Sequence, residues 1–295
     1  MKIVDFFLIC LIRAFQQVLR VLPERVCVAM GVLMGRLGYL FLRKRRLVAI
    51  ANVMRISPGI SLSRAEALAR SCFEKLGVNL FETLLFQYIP PGEYGTRFHL
   101  ETRGNVDEVL GADQGILALG FHYGNWEITG ITSFLLKRQI VALARPLKGH
   151  PALNGFLNGL RAATGLTIIP NRETARDVIR LLRQHHMVAF LGDQREKRSK
   201  AVWVEFFGEK VPTSKGLVAI AMKTGFPIVP IYAKRDGFLR YTVVYNEPLY
   251  VERKGAPLDE LIYRNARRIN AFLEGIVAER PDEWFLVHRR FGRGT

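Results

Sequence analysis

Short runs of apolar residues recur through the middle of the chain, and each run is closed by polar residues. Residues 115–121 (Gly-Ile-Leu-Ala-Leu-Gly-Phe) are apolar without alternation, which is the pattern of a strand buried on both faces of a sheet. The same pattern predicts strands at 140–143, 166–169, 187–191 and 228–232, and a further strand is predicted at 239–245.

Helical spacing fills the stretches between these strands. Ser63-Arg-Ala-Glu66 has the spacing of a capping box, and the apolar residues after it recur at helical intervals, which predicts a helix over 64–86. Further helices are predicted over 128–137, 151–164, 173–185, 214–224 and 258–280. Because strands alternate with helices, the sequence predicts an α/β fold with a largely parallel sheet flanked by helices.

The N-terminal part of the chain is more apolar than the rest. Residues 6–22 and 26–42 form two apolar runs of about 17 residues, and each contains one arginine, Arg13 or Arg36. A membrane-spanning helix needs roughly 20 apolar residues. One tilted span, a shallow hairpin, a helix lying in the interface and a buried core helix therefore stay open. We interpret 1–46 as a retained membrane-anchoring segment with a hydrophobic helix, and 47–295 as the catalytic domain.

Positive charge dominates the chain and is concentrated beside the apolar runs. Forty-three Lys and Arg against 26 Asp and Glu give a net charge of +17, and residues 1–46 alone have a net charge of +7. The cluster 43–46 directly follows the second apolar run, where basic residues lie on the cytoplasmic side of a membrane. The charge favours anionic partners, and the scarcity of cysteine favours a reducing compartment. We therefore expect the catalytic domain on the cytoplasmic face of an anionic membrane.

Polar residues follow four of the predicted strands, at the edge of the sheet where α/β proteins gather their chemistry. The segment from His122 to Glu127 follows the first strand, Arg145 the second and Arg172 the third. Asp193 and Gln194 follow the fourth. This placement predicts one active site built from strand ends.

His122 and Glu127 are the strongest candidates for catalysis at that edge. A turn at Gly124, with Asn125 capping the next helix, would fold the Glu127 carboxylate back onto the imidazole. The carboxylate would then stabilise the imidazolium that forms when His122 takes a proton from a hydroxyl group. Among the six histidines only His122 has an acidic residue five positions on. The structural alternative is a buried histidine that bonds to the backbone beside a glutamate at a helix start.

Six segments, taken in order, resemble one known family. His122-Tyr-Gly-Asn-Trp-Glu127 resembles the H-x4-D/E motif of glycerolipid-type acyltransferases, in the form found in bacterial lipid A late acyltransferases (lauroyl and myristoyl transferases). The other similar segments are 144–148, 158–165, 192–216, 224–230 and the C-terminal 281–290, which resembles P-x-x-W-x-x-x-H-R-R. Leu286 and the 194–196 segment depart from the pattern of many members.

The resemblance implies transfer of an acyl chain from acyl carrier protein, or from coenzyme A, to a hydroxyl of a phosphorylated lipid A precursor at the bacterial inner membrane. It implies no metal or other cofactor. His122 would be the general base and Glu127 its partner. The other implied roles are acceptor binding or site architecture for Arg161 and Asp193, hydrogen bonding for Asn125 and Gln194, and phosphate contacts for Arg145, Arg172 and Lys215.

Three other functions are compatible with parts of the sequence. An acyltransferase acting on a phosphatidylinositol mannoside or a lysophospholipid would use the same motif. A basic, membrane-associated nucleic-acid-binding protein is suggested only by the charge, and the chain lacks the motifs of such proteins. A metallohydrolase would need clustered metal ligands, and His122 has no partner at a metal-binding spacing.

Overall fold

A seven-stranded sheet organises the chain, and helices cover both of its faces. A computed structural model describes residues 3–144, 146–170 and 175–292. The helices are α1 (Ile3–Val21), α2 (Glu24–Phe41), α3 (Arg43–Ile56), α4 (Leu62–Leu85), α5 (Tyr94–Arg97), α6 (Val106–Gly111), α7 (Thr132–Leu135), α8 (Pro151–Ala163), α9 (Ala175–Arg183), α10 (Gly216–Thr224) and α11 (Leu258–Glu279). The strands are β1 (Phe98–Thr102), β2 (Ile116–Gly120), β3 (Ile140–Ala144), β4 (Leu166–Pro170), β5 (Met187–Leu191), β6 (Ala201–Phe206), β7 (Glu209–Ser214), β8 (Ile228–Gly237) and β9 (Arg240–Tyr245).

The strand order in the large sheet is β1-β9-β8-β2-β5-β3-β4. Every pairing in it is parallel except the β8–β9 hairpin, and β6 and β7 form a separate antiparallel pair. The central strand β2 shows why its sequence is uniformly apolar. Leu117 and Leu119 enter one hydrophobic cluster, while Ile116 and Ala118 enter a second cluster on the opposite face. The predicted α/β class and mostly parallel sheet are confirmed.

The six predicted strands are present, but one predicted helix is only partly confirmed. Instead of a helix over 128–137, the chain forms a 3₁₀ helix, Trp126–Ile131, and then the single turn α7. The Thr129 hydroxyl donates to the Trp126 carbonyl at 2.7 Å, and the Thr132 hydroxyl donates to the Thr129 carbonyl at 2.8 Å. These bonds compete with the regular helical pattern. A Cβ on Gly130 would lie 2.3 Å from Thr164 Oγ1. The backbone at Gly130 therefore lies too close to Thr164 for any side chain at this position.

The first helix buries two polar side chains and exposes several apolar ones. Asp5 and Gln16 of α1 are buried, with Asp5 accepting from His150 Nδ1 at 2.7 Å and Gln16 donating to the Leu84 carbonyl at 2.8 Å. Apolar residues of the same helix face outwards, and Leu11 is 68% exposed. So many exposed apolar side chains are unusual for a helix on a water-facing surface.

The second helix packs tightly on α4 through glycine. A Cβ on Gly35 would lie 2.2 Å from the Phe73 carbonyl oxygen, and one on Gly77 would lie 2.0 Å from the Gly31 carbonyl oxygen. Within the described ranges, no single helix is long and apolar enough to cross a membrane. Of the helices described, α2 and α3 are the one pair that reaches that threshold together, and the two are bent by 95° at their junction. The division into an anchor over 1–46 and a catalytic domain over 47–295 stays a prediction.

Candidate active site

The loop after β2 turns sharply at Gly124. This residue has φ of 60°, a left-handed conformation, and a Cβ there would lie 2.3 Å from the Ala233 carbonyl oxygen. Its N–H donates to the Glu283 carbonyl at 2.9 Å, and its carbonyl accepts from Asn79 Nδ2 at 2.8 Å. Only glycine fits this turn without strain, which explains its place two residues after His122.

The C-terminal segment fastens the same loop from the other side. The Phe285 N–H donates to the His122 carbonyl at 2.8 Å, and Tyr123 forms an antiparallel bridge with Trp284. Asn52 of α3 then donates to the carbonyls of Leu286 and His288, both at 2.7 Å. The residues similar to the family's C-terminal motif therefore fix the backbone around His122.

His122 is held by Asp193, which follows β5. Its Nδ1 lies 2.7 Å from Asp193 Oδ1, and its backbone N–H donates to Asp193 Oδ2 at 3.0 Å. Trp284 Nε1 donates to the same Oδ2 at 2.8 Å. An ionised carboxylate can only accept, so Nδ1 of the neutral ring has the proton and Nε2 has the free electron pair.

The acid–base state of Asp193 follows from these contacts. Its side chain is only 2% exposed, and burial by itself would raise the pKa of the carboxyl. The electrostatic attraction to His122 and the three hydrogen bonds outweigh that burial and lower the pKa of Asp193 from 3.8 to about 2. Asp193 is therefore ionised throughout the physiological range.

The second ring nitrogen of His122 faces the open edge of the site. The Gln194 amide nitrogen lies 3.1 Å from Nε2, and Gln194 is exposed. Two aromatic rings fix the plane of the imidazole: Trp126 contacts it edge-on with centroids 4.9 Å apart, and Phe285 stacks on it at 5.7 Å. The His122 side chain is 12% exposed, so a substrate group can reach Nε2 with little of the ring in water.

Glu127 does not hold His122, which corrects the expected pairing. Its carboxylate accepts two bonds from Arg161, from Nε and Nη2, both at 2.9 Å, and a third from Trp126 Nε1 at 3.2 Å. No hydrogen bond joins His122 to Glu127 among the described residues. The reason is the 3₁₀ helix, which begins at Trp126 and directs Glu127 towards α8. The bidentate bond to Glu127 raises the pKa of Arg161 against the opposing effect of burial.

A buried glutamate on α4, which sequence reasoning missed, holds the loop from behind. Glu82 is fully buried and accepts from Asn125 Nδ2 at 3.1 Å and from the Leu239 N–H at 2.9 Å. It also bonds Tyr241 and Arg235. Asn125 occupies the predicted N-cap position but makes no capping bond, and its side chain is buried against Glu82. The Asn125 side chain therefore supports the loop through its hydrogen bond to Glu82.

Arg290, also missed, holds the loop that follows β5. It is completely buried, and its Nη1 donates to the carbonyls of Gln194 and Pro212 at 3.0 and 3.1 Å. Its Nη2 donates to Thr213 Oγ1 at 2.8 Å. Burial lowers the pKa of Arg290 to about 10. Its one signal in the sequence was that it ends the segment 281–290, which resembles the family's C-terminal motif.

The three remaining candidates do not join this cluster in the described structure. Lys215 is exposed at the N-cap of α10, where its backbone N–H donates to the Lys200 carbonyl at 3.3 Å. Arg145 and Arg172 lie outside the described residues. Within those ranges, no group of three or more His, Cys, Asp or Glu is arranged to hold a metal ion.

Comparison with known proteins gives consistent results over nearly the whole chain. A family model described as bacterial lipid A biosynthesis acyltransferase matches residues 1–293. The chain is 24% identical over 275 residues to a lipid A biosynthesis palmitoleoyltransferase of Escherichia coli K12, covering 92% of this chain and 86% of the relative. It is 23% identical over 273 residues to a lipid A biosynthesis lauroyltransferase of the same organism, with the same coverage of each chain. A phosphatidylinositol mannoside acyltransferase of Mycobacterium tuberculosis is 24% identical over 136 residues, 45% of this chain and 43% of the relative.

Proposed function

The chain belongs to the bacterial lipid A biosynthesis acyltransferase family, and on this premise we propose that it moves an acyl chain from acyl carrier protein to a hydroxyl of a phosphorylated lipid A precursor, with His122 as general base. Acyl transfer itself is what the family and both Escherichia coli relatives have in common. The donor, the base and the membrane location are the proposed parts.

One observation supports the mechanism most strongly: His122 Nδ1 lies 2.7 Å from the ionised Asp193, while Nε2 faces the open edge. Nε2 removes the proton of the acceptor hydroxyl as the oxygen attacks the carbonyl carbon of the thioester. The imidazolium that forms lies against the Asp193 carboxylate in a site with little water, where the attraction between the two charges is strong. Asp193 therefore takes the orienting role that the spacing had assigned to Glu127.

The collapse of the tetrahedral intermediate completes the transfer. The carbon–sulfur bond breaks, the thiolate takes the proton from His122 Nε2, and the acyl group remains on the acceptor as an ester. The Gln194 amide lies 3.1 Å from Nε2 and must leave it to admit the hydroxyl, and its N–H group is then free to donate a hydrogen bond to the developing oxyanion. No bond forms between the acyl chain and the protein, so no second nucleophile is required.

The Glu127–Arg161 pair has a separate task in this proposal. It joins the 3₁₀ helix after the His122 loop to α8, and Trp126, which contacts His122, bonds Glu127 as well. Arg161 is 31% exposed, so the outer part of its guanidinium remains available to the acceptor. We assign this pair to acceptor positioning and not to proton transfer.

The outward apolar residues of α1 support a position on the cytoplasmic surface of an inner membrane. Val4, Phe7, Leu11 and Val18 follow helical spacing and are each at least half exposed. A net charge of +17 favours both an anionic bilayer and an acidic carrier protein. Co-sedimentation with anionic vesicles tests this location, and protein that stays in the supernatant would refute it.

A product assay tests the proposed reaction. The purified protein in detergent receives acyl carrier protein loaded with a labelled acyl chain. It also receives one of three acceptors: a tetra-acylated, phosphorylated glucosamine disaccharide, a phosphatidylinositol mannoside or a lysophospholipid. Mass spectrometry is expected to find one added acyl chain on the disaccharide. The mannoside is included because of the partial similarity to the mycobacterial enzyme. Acylation of a different acceptor alone would move the assignment to that acceptor, and coenzyme A as the only effective donor would refute the proposed donor.

A further inference from the structure

A basic cavity of about 510 Å³ lies where α3 meets the loop after β5 and the C-terminal segment. Its lining contains four cations together with Val48 and His288. The cations are Lys44, Arg45, Arg195 and Arg289. The volume lies in the range of pockets that hold small organic ligands.

The four cations have no protein counter-ion in the part of the chain that the structure describes. None of them lies within 4.0 Å of a carboxylate oxygen there, although 26 acidic residues are spread through the sequence. Among the described residues, the Arg45 side chain makes one hydrogen bond, from Nη1 to the Val287 carbonyl at 3.2 Å. Four like charges around one cavity repel one another, so an anion that entered it would relieve the repulsion.

The position of the cluster on α3 adds to this repulsion. Lys44 and Arg45 lie in the first turn of a 14-residue helix that has no acidic residue in that turn and no side-chain cap. The amino end of a helix has partial positive charge, so cations are unfavourable there and anions are favourable. The helix and the side chains therefore favour the same type of ligand.

The cavity adjoins the catalytic histidine through a short path. Arg195 directly follows Gln194, whose amide nitrogen lies 3.1 Å from His122 Nε2. The Arg195 N–H donates to His288 Nε2 at 3.0 Å, which requires His288 to be neutral at that nitrogen. Burial lowers the pKa of His288 to about 4, so the bond persists at neutral pH. The cavity lining and the contact to His122 Nε2 thus come from consecutive residues of one loop.

We propose that this cavity binds a phosphate group of a substrate while that substrate is at His122. The proposal rests on the proposed acyl transfer and adds a binding site to it. A phosphate ester has one to two negative charges at pH 7 and several strong acceptor oxygens, and arginine guanidinium groups bind such oxygens in pairs. Two substrates of the reaction have this chemistry: a phosphorylated glycolipid acceptor and the phosphopantetheine arm of the donor.

The test removes two exposed cations of the cavity by Lys44→Gln with Arg289→Gln. A matched control, Lys223→Gln with Lys254→Gln, removes the same charge from exposed residues outside the cavity. In transfer assays the cavity variant is expected to raise the KM of the phosphate-bearing substrate roughly tenfold or more, with kcat within about twofold. The control is expected to keep both values.

Paired substrates identify the source of the phosphate. Acceptors with and without phosphate, and acyl-phosphopantetheine against acyl-pantetheine, are compared in each variant. The difference between wild type and cavity variant disappears when the responsible phosphate is absent. An unchanged KM for every substrate overturns the proposal. So does a variant that loses only its binding to anionic vesicles, because the cations would then serve the membrane surface.

A binding measurement separates this proposal from the proposed function. Inorganic phosphate is titrated into the resting protein, and wild type is expected to bind it at least tenfold more tightly than the cavity variant. If wild type shows no acyl transfer but this difference in phosphate binding persists, the proposed function is refuted and the proposed phosphate site is retained. Equal phosphate binding by the cavity variant and the control refutes the proposed phosphate site, whether or not the protein transfers acyl chains.

Discussion

The replacement Asp193→Asn tests the assignment of the orienting carboxylate. Two fixed donors, the His122 backbone N–H and Trp284 Nε1, bond Asp193 Oδ2, while His122 Nδ1 bonds Oδ1. Asparagine has one carbonyl oxygen, which meets two donors at the Oδ2 position but one at the Oδ1 position. The amide is therefore expected to place its oxygen at the Oδ2 position and its NH₂ group against His122 Nδ1. That nitrogen must then accept, and the proton moves to Nε2, where it prevents His122 from acting as a base.

The expected size of the effect follows from two contributions. The imidazolium that forms in the transition state loses its charge-assisted hydrogen bond to the Asp193 carboxylate, which is worth about 2 kcal/mol, or a factor of about 10² in rate. The wrong tautomer increases the loss towards about 10⁴-fold, the size of the same effect in Ser-His-Asp triads. We therefore expect kcat to fall between about 10²- and 10⁴-fold, with KM for both substrates nearly unchanged.

Glu127→Gln is the matched control, because it makes the same carboxylate-to-amide change at the residue that the sequence pattern favoured. Its oxygen still accepts from Arg161, so we expect kcat within about tenfold of wild type and a higher KM for the acceptor. Steady-state kinetics with saturating acylated acyl carrier protein measure both variants, and circular dichroism confirms folding. The reasoning is refuted if Asp193→Asn stays within threefold of wild type, or if Glu127→Gln loses as much kcat.

Three further predictions concern the residues around the site. Gly124→Ala places a Cβ against the Ala233 carbonyl at positive φ and should lower the free energy of unfolding by about 2 kcal/mol or more in urea titration; a gain in stability would contradict the assigned turn. Glu82→Gln removes a buried carboxylate from its bond with Arg235 and should cost about 3 kcal/mol by the same measurement, whereas a cost below 1 kcal/mol would show that the pair contributes little. Burial lowers the pKa of His288 from 6.5 to about 4, so the folded state binds fewer protons than the unfolded state between these values, and stability should fall as the pH drops from 6.5 to 4. His288→Gln should flatten this part of the stability profile, and an unaltered slope would contradict the assignment.

Much of the fold was accessible from the sequence because of the buried strands. Strands such as β2 and β5 are apolar without interruption, since helices cover both faces of the sheet. The half-exposed strand β1 and the β6–β7 hairpin have mixed patterns that periodicity does not separate from loops. Their structure depends on pairing with distant residues, as in the parallel register between β1 and β9.

The sequence predicted which residues belong to the candidate site better than it predicted which of them bond to one another. Strand-end placement brought His122 and Asp193 together, because the ends of β2 and β5 are adjacent in the sheet. Which carboxylate faced the imidazole depended on a 3₁₀ helix that threonine bonds to the backbone favour over a regular helix. Glu82 and Arg290 were missed because a charged residue in a helix or at the end of a chain is usually solvated.

The most direct measurement is single-turnover acyl transfer by His122→Ala, followed by mass spectrometry of the acceptor. We expect the rate of product formation to fall at least about 10³-fold, while acceptor binding and the thermal unfolding temperature remain close to those of wild type. Transfer at an undiminished rate by this variant would show that another group removes the proton, and the proposed role of the His122–Asp193 pair would have to be abandoned.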